Sequence, residues 1–194
     1  MEQVNSGQSR RCRYASTRLL CLLPILMLLA AWSHSPLPSP AEEQPEYHVK
    51  AQFVWRFSEF VEWPASAFES PGSWFSICIL GDDPFGSTLD QTVAGEVMGG
   101  RRITVQRIKH APPPQSCQIL FVSRSEKDVS TLLQGLGPGV LTVGEGESFV
   151  RDGGMIAFAI ENRRVRFDIN QAAAEHAGLK LSSQLLKVAR VVKK

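Results

Sequence analysis

The chain has 194 residues, 43% of them hydrophobic, and 21 Lys and Arg stand against 19 Asp and Glu. The resulting formal charge of +2 comes mostly from the first 33 residues. It supplies no basic field of the kind that nucleic-acid binding requires.

Arg10, Arg11, Arg13 and Arg18 form a basic leader, followed by an apolar run from Leu19 to Ala31 broken only by Cys21 and Pro24. That run is about a dozen residues, short of the roughly 20 that span a bilayer. Ala31 and Ser33 are small residues where a signal peptidase cuts. The pattern predicts a cleaved signal peptide over residues 1–33. Cys21 lacks the preceding small residues of a lipoprotein site, and Cys12-Arg13 is a poor continuation of a twin-arginine pair. Losing four Arg and one Glu with the leader leaves the mature chain near −1. Residues 34–46 are expected to be an extended spacer, because Ser35 to Glu46 holds four prolines and no buried-face periodicity. Residues 47–194 are the size of one domain with a proper core. No internal repeat is visible.

Tyr47 to Val61 reads as a helix, with Val49, Phe53, Phe57 and Phe60 on one apolar stripe and Trp63-Pro64 as its stop. Phe75 to Leu80 is the first strand. Gly81-Asp82-Asp83-Pro84 turns into a second helix, with Asp83 expected at the N-cap and Pro84 at the first position. After Gly99-Gly100, Arg102 to Ile108 alternates as a strand, and Ala111 to Ser116 is a proline loop. Ile119 to Val122 is a buried strand, after which Ser123 or Ser125 is expected to cap a helix reaching about Leu136. Gly135 to Gly139 follows a helix and precedes the strand Val140 to Val143, the wrong order for a dinucleotide-binding loop. Met155 to Ile160 and Val165 to Ile169 predict a hairpin across Glu161 to Arg164. Gln171 to Ala177 is helical with Gly178 as its stop, and Ser183 is expected to cap a last helix through Ala189. The alternation predicts an α/β fold: a single-domain sandwich with helices flanking a mostly parallel five- or six-stranded sheet, its C-terminal hairpin antiparallel.

Two cysteines remain after the leader, Cys78 within one apolar run and Cys117 just before another. On neighbouring strands they would form a structural disulfide, stabilising the fold by about 4 kcal/mol for a loop of about 40 residues. Two isolated thiols make a poor metal site, and a redox centre usually spaces its cysteines two apart. No cofactor motif is present: there is no Walker loop, no His-Glu-x-x-His helix and no nucleophile triad spacing.

The candidate contacts for a partner or ligand are Trp55, Asp82, Asp83, Arg164, Arg166 and Asp168. Trp55 falls on the polar side of the first helix, among Ala51, Ser58, Glu59 and Glu62. There it is either an interface anchor or packed beneath the spacer or a neighbouring loop. As an anchor, its replacement by alanine would weaken association and spare stability. Asp82 and Asp83 end a strand, where open α/β sheets place ligands, but helix capping and turn shaping explain them as well. Arg164 and Arg166 share one face of a strand, as an acidic-partner contact or a solvated turn. Asp168 and Asn170 flank the end of that strand, with Asn170 expected to cap the next helix.

Three blocks resemble one family when read together. They are Val49-Lys-Ala-x-Phe53 with Phe60-Val-Glu-Trp-Pro64; Ile77-Cys-Ile-Leu-Gly-Asp-Asp-Pro-Phe-Gly86; and Gly153-Gly-Met-Ile-x-Phe158 with Arg166-Phe-Asp-Ile-Asn170 and Ala177-Gly-Leu-x-Leu-Ser-Ser183. Their order and spacing are similar to the YfiR/HmsC-like family of small periplasmic proteins, over residues 47 to 190. The resemblance implies a binding module and not an enzyme, without cofactor. It would restrain an inner-membrane diguanylate cyclase through that partner's periplasmic domain, lowering cyclic-di-GMP and biofilm output. The family is regarded as redox-sensitive through its cysteines. Some relatives carry a second cysteine pair around Gly153 to Phe158, which this chain lacks, and Arg56 stands where an Asn is common. The mature protein is expected in the periplasm, not membrane-embedded, with a homodimer left open. The alternatives are a periplasmic small-molecule binding component of a sensor or transport system and, third, an exported hydrolase using Asp82 or Asp83.

Overall fold

The structure, a computed structural model, describes residues 40–194. The signal peptide expected over 1–33, and the part of the spacer up to residue 39, lie outside the described residues.

Helix α1 (Pro40–Phe57) runs into a 3-10 turn, Ser58–Phe60, and the short strand β1 (Val61–Glu62). The helix therefore begins inside the segment expected to be an extended spacer and stops before Val61. Strand β2 (Phe75–Leu80) leads to α2 (Ser87–Val93), β3 (Val97–Met98) and β4 (Arg101–Ile108). Strand β5 (Ile119–Val122) follows, then α3 (Val129–Gln134), β6 (Leu141–Glu145), α4 (Glu147–Arg151) and β7 (Ile156–Glu161). The chain ends with β8 (Arg164–Asn170), α5 (Gln171–His176), β9 (Lys180–Leu181), α6 (Ser183–Val188) and β10 (Val191–Lys193).

Eight of these strands form one sheet in the order β10-β8-β7-β6-β5-β2-β4-β3. The interior pairs β4–β2, β2–β5, β5–β6 and β6–β7 are parallel, and β7–β8 is the antiparallel hairpin. Six strands carry the α/β sandwich as expected, and short β3 and β10 lengthen its two edges. A separate two-stranded sheet joins β1 to β9. Strands β2, β5 and β6 are buried along their whole length. That is why they read as unbroken apolar runs and not as alternating ones.

The period of two divides the core. Ile77, Ile79, Ile119, Phe121, Leu141 and Val143 face the helices α1, α2, α5 and α6. Cys78, Leu80, Leu120 and Val122 face α3 and α4 on the other side. Phe57 anchors the first layer, its ring centroid 5.8 Å from Phe158 and 5.1 Å from Phe167. The hairpin turns on Asn162 and Arg163, both at positive φ (50° and 61°), the two-residue geometry whose twist matches its strands.

Three capping expectations shift. Gly86 stands at the N-cap of α2, while Asp83 caps the turn before it. Neither Ser123 nor Ser125 caps α3, which starts later, after Asp128 in the left-handed conformation. Ser182, not Ser183, caps α6 by accepting from the Leu185 amide at 3.2 Å. Asn170 caps α5 as expected, accepting from the Ala173 amide at 3.1 Å.

Candidate functional site

In a doubly wound sheet the ligand crevice opens at the carboxyl ends of the strands where the winding reverses. Here that point lies between β2 and β5, and it is closed. Gly81 has φ +85°, and a Cβ there would lie 2.6 Å from Glu126 Oε1 and 2.7 Å from Ser125 Oγ. The Asp82 amide donates to Ser125 Oγ at 3.1 Å, sealing the loop. The Asp82 side chain is exposed. Asp83 Oδ1 accepts from the amides of Phe85 (2.7 Å) and Gly86 (3.2 Å), and its Oδ2 from Arg107 Nε (2.9 Å). Arg107 also forks onto both oxygens of Asp90, at 2.8 and 2.5 Å. That hydrogen bonding, against a smaller opposing effect of burial, holds the Asp90 carboxyl below its ordinary value. Asp83 is thus a fastening of β4 to α2.

The open cleft sits one strand over, between the carboxyl ends of β5 and β6. It has a volume of about 590 Å³ and is lined by Ser123, Arg124, Glu145, Ser148, Phe149 and Asp152 among others. Behind it lies a buried charge network that the sequence reading missed. Lys50 is 1% exposed, and its ammonium pairs with Glu46 and with the buried Glu145. Arg124 Nε reaches Glu145 Oε2 at 2.7 Å, and the Tyr47 hydroxyl donates to the same oxygen at 3.4 Å. Lys50 Nζ also lies 4.4 Å from the centroid of the Tyr47 ring. The available signal was a lysine three residues before Phe53 and seven before Phe57, on the apolar face of α1.

Burial, then the Glu145 charge, pushes the Tyr47 hydroxyl from 10.0 up to about 12. Because the folded value is raised, its contribution to stability is complete below pH 10 and is lost as pH rises towards 12. Tyr47 is the sole tyrosine after Tyr14. Absorbance at 295 nm on residues 34–194 should therefore show one tyrosine titrating near 12, and lower in Glu145→Gln. A midpoint near 10 in the folded parent would mean that the network does not form.

The other sequence candidates scatter. Trp55 is 8% exposed and belongs to the core, which corrects its placement on an open polar face. Gln52, one turn earlier, reaches Thr92 on α2 (3.4 Å), so that side of α1 is covered by α2. With the side chain packed there, Trp55→Ala is expected to lower Tm. Asp168 is buried, its Oδ1 accepting from Arg190 Nε at 2.8 Å and its Oδ2 from Arg190 Nη2 at 2.6 Å. It fastens the C-terminal segment to β8. Arg164 and Arg166 are exposed and two apart on β8. Cys78 and Cys117 form a disulfide across 39 residues, with both sulfurs in the second core layer. Among the described residues, no group of three or more His, Cys, Asp or Glu could hold a metal ion.

The main sheet, its flanking helices and the internal disulfide define a small α/β domain with an open cleft at the carboxyl ends of β5 and β6. The chain belongs to the YfiR/HmsC-like family, whose family model matches residues 47–190. That family is known for periplasmic regulators of diguanylate cyclases, regulatory and not catalytic. No curated protein sequence matches the chain. Among solved structures, a conserved domain protein from Vibrio cholerae O1 biovar El Tor is similar, with a TM-score of 0.49 and 11% identity. The match covers 76% of this chain and 60% of that one, a likeness too distant to bear on function.

Proposed function

We propose that this protein is an exported regulator that represses a membrane-bound diguanylate cyclase by binding its periplasmic sensor domain. The family match over nearly the whole folded domain carries this reading. Residues 1–33 would be the cleaved leader, and the mature chain from about residue 34 would work in the periplasm as a binding module. Repression is linkage: the regulator binds one conformation of the sensor more tightly, and the sensor's cytoplasmic end follows. Shifting a two-state sensor from 1:99 to 99:1 takes about 5.5 kcal/mol of differential binding. Deleting the gene should raise cyclic-di-GMP in the host. The full-length gene should restore repression, and a version lacking residues 1–33 should not. Unchanged cyclic-di-GMP in the deletion strain would refute the proposal.

The cleft between β5 and β6 supports a second reading, a periplasmic small-molecule binding component. Melting shifts of residues 34–194 with small metabolites, abolished by Arg124→Ala, would favour it.

A further inference from the structure

Helix α1 shows an apolar face that nothing in the described residues covers. On one side of Phe53 lies a hollow of about 250 Å³ walled by Phe60, Phe167, Leu185 and Val188. On its other side lies a second hollow, of about 750 Å³, walled by Val49, Ile160 and Val165. The two meet at Phe53 and make one furrow along α1, bordered by the β7–β8 hairpin and by α6. Val49 (42% exposed), Ile160 (50%) and Val188 (57%) are three of the six large exposed hydrophobic side chains among the described residues. Scattered singly they would need no explanation, but a contiguous apolar strip marks an interaction surface.

The rim carries more positive than negative charge. Arg56 borders the first hollow and Arg163, Arg164 and Glu46 the second, and the Glu46 carboxylate is already paired with Lys50. The three arginines are exposed, and none makes an ion pair among the described residues. From Val49 to Phe60 the furrow runs roughly 18 Å at the rise of an α-helix followed by a 3-10 turn. That length accepts about three turns of a second helix, with anchors at i, i+4 and i+7.

We propose that this furrow seats an amphipathic helix of the partner whose apolar stripe is flanked by Asp and Glu. The identity of that partner rests on the regulatory reading above, and the surface rests on the structure. A two-fold contact between copies through the furrow would bring the arginine-bearing rim of one copy against that of the other, so charge disfavours a second copy. A concave strip also fits a helix better than a bilayer, which meets convex apolar surface.

The test uses residues 34–194 and two synthetic 18-residue peptides. Both carry leucine at i, i+3, i+4 and i+7, one flanked by Glu and one by Lys. The Glu peptide should bind at least tenfold more tightly than its Lys twin, with amide shifts clustered around Phe53, Ile160 and Val188. Val188→Asp should weaken it tenfold or more at unchanged Tm, and Arg56→Glu with Arg164→Glu should reverse the preference. Equal binding of the two peptides, shifts centred on the β5–β6 cleft, or a dimer abolished by Val188→Asp would each overturn the proposal. So would Val188-dependent binding to phosphatidylglycerol vesicles without peptide binding. The two readings fail separately. A cyclase sensor domain captured equally by parent and variants overturns the furrow alone. Discriminating peptides with no captured cyclase overturn the regulatory reading alone.

Discussion

Replacing Lys50 with methionine is expected to lower the unfolding free energy by about 3–5 kcal/mol, the range for breaking a buried ion pair from one side. The buried ammonium is shared by Glu46 and Glu145 and rests against the Tyr47 ring. Without it, the Glu145 carboxylate, 2% exposed, keeps only Arg124, itself 68% exposed, and the Tyr47 hydroxyl. A solvated arginine compensates a buried charge poorly. For a domain of this size the loss corresponds to a fall of roughly 10 °C in Tm. The double variant Lys50→Met with Glu145→Leu removes both charges, and it should regain most of the stability because the desolvation penalty disappears with them. Urea unfolding of parent, both single variants and the double variant gives the coupling directly. Strict additivity, or a Lys50→Met protein as stable as the parent, would show that the pair does not hold α1 to the end of β6.

What the sequence made legible follows the range of the forces involved. Strands β2 and β5 were readable because burial on both faces leaves a continuous apolar run. The β7–β8 hairpin was readable because Asn162 and Arg163 suit a tight turn between two such runs. The Cys78–Cys117 bond followed from one cysteine within an apolar run and one just before another, on strands that a parallel sheet places side by side. The short strands β1, β3, β9 and β10 carry no such signal, since three residues or fewer pair only when a neighbour is already in place. Trp55 was misplaced for a related reason: a helical wheel shows one apolar stripe, whereas α1 packs against α2 as well as the sheet. Asp168 looked like a strand-end ligand group because its partner Arg190 lies 22 residues further on. Lys50 and Glu145, 95 residues apart, each look like an ordinary surface charge until the fold joins them.

Removing the disulfide with Cys78→Ala and Cys117→Ala is expected to cost about 4 kcal/mol, the chain-entropy value for a loop near 40 residues. Alanine is the right replacement, because serine would bury a hydroxyl in the layer formed by Leu80, Leu120 and Val122. Reductant should act differently on the native protein. Both half-cystines are buried, at 0% and 2% exposure, so an attacking thiolate reaches them only when β2 and β5 separate from the helices above. Reduction should then track opening of the fold. Dithiothreitol added to the folded chain should leave partner binding and Tm unchanged over an hour, while the same addition near the urea midpoint should collapse the transition. The double variant, at a temperature where it remains folded, should bind as the parent does, because the furrow lies on the opposite face of the sheet. Rapid reduction of the native chain with loss of binding and no loss of structure would make the bond a switch, so thiol trapping and binding should be followed on one sample.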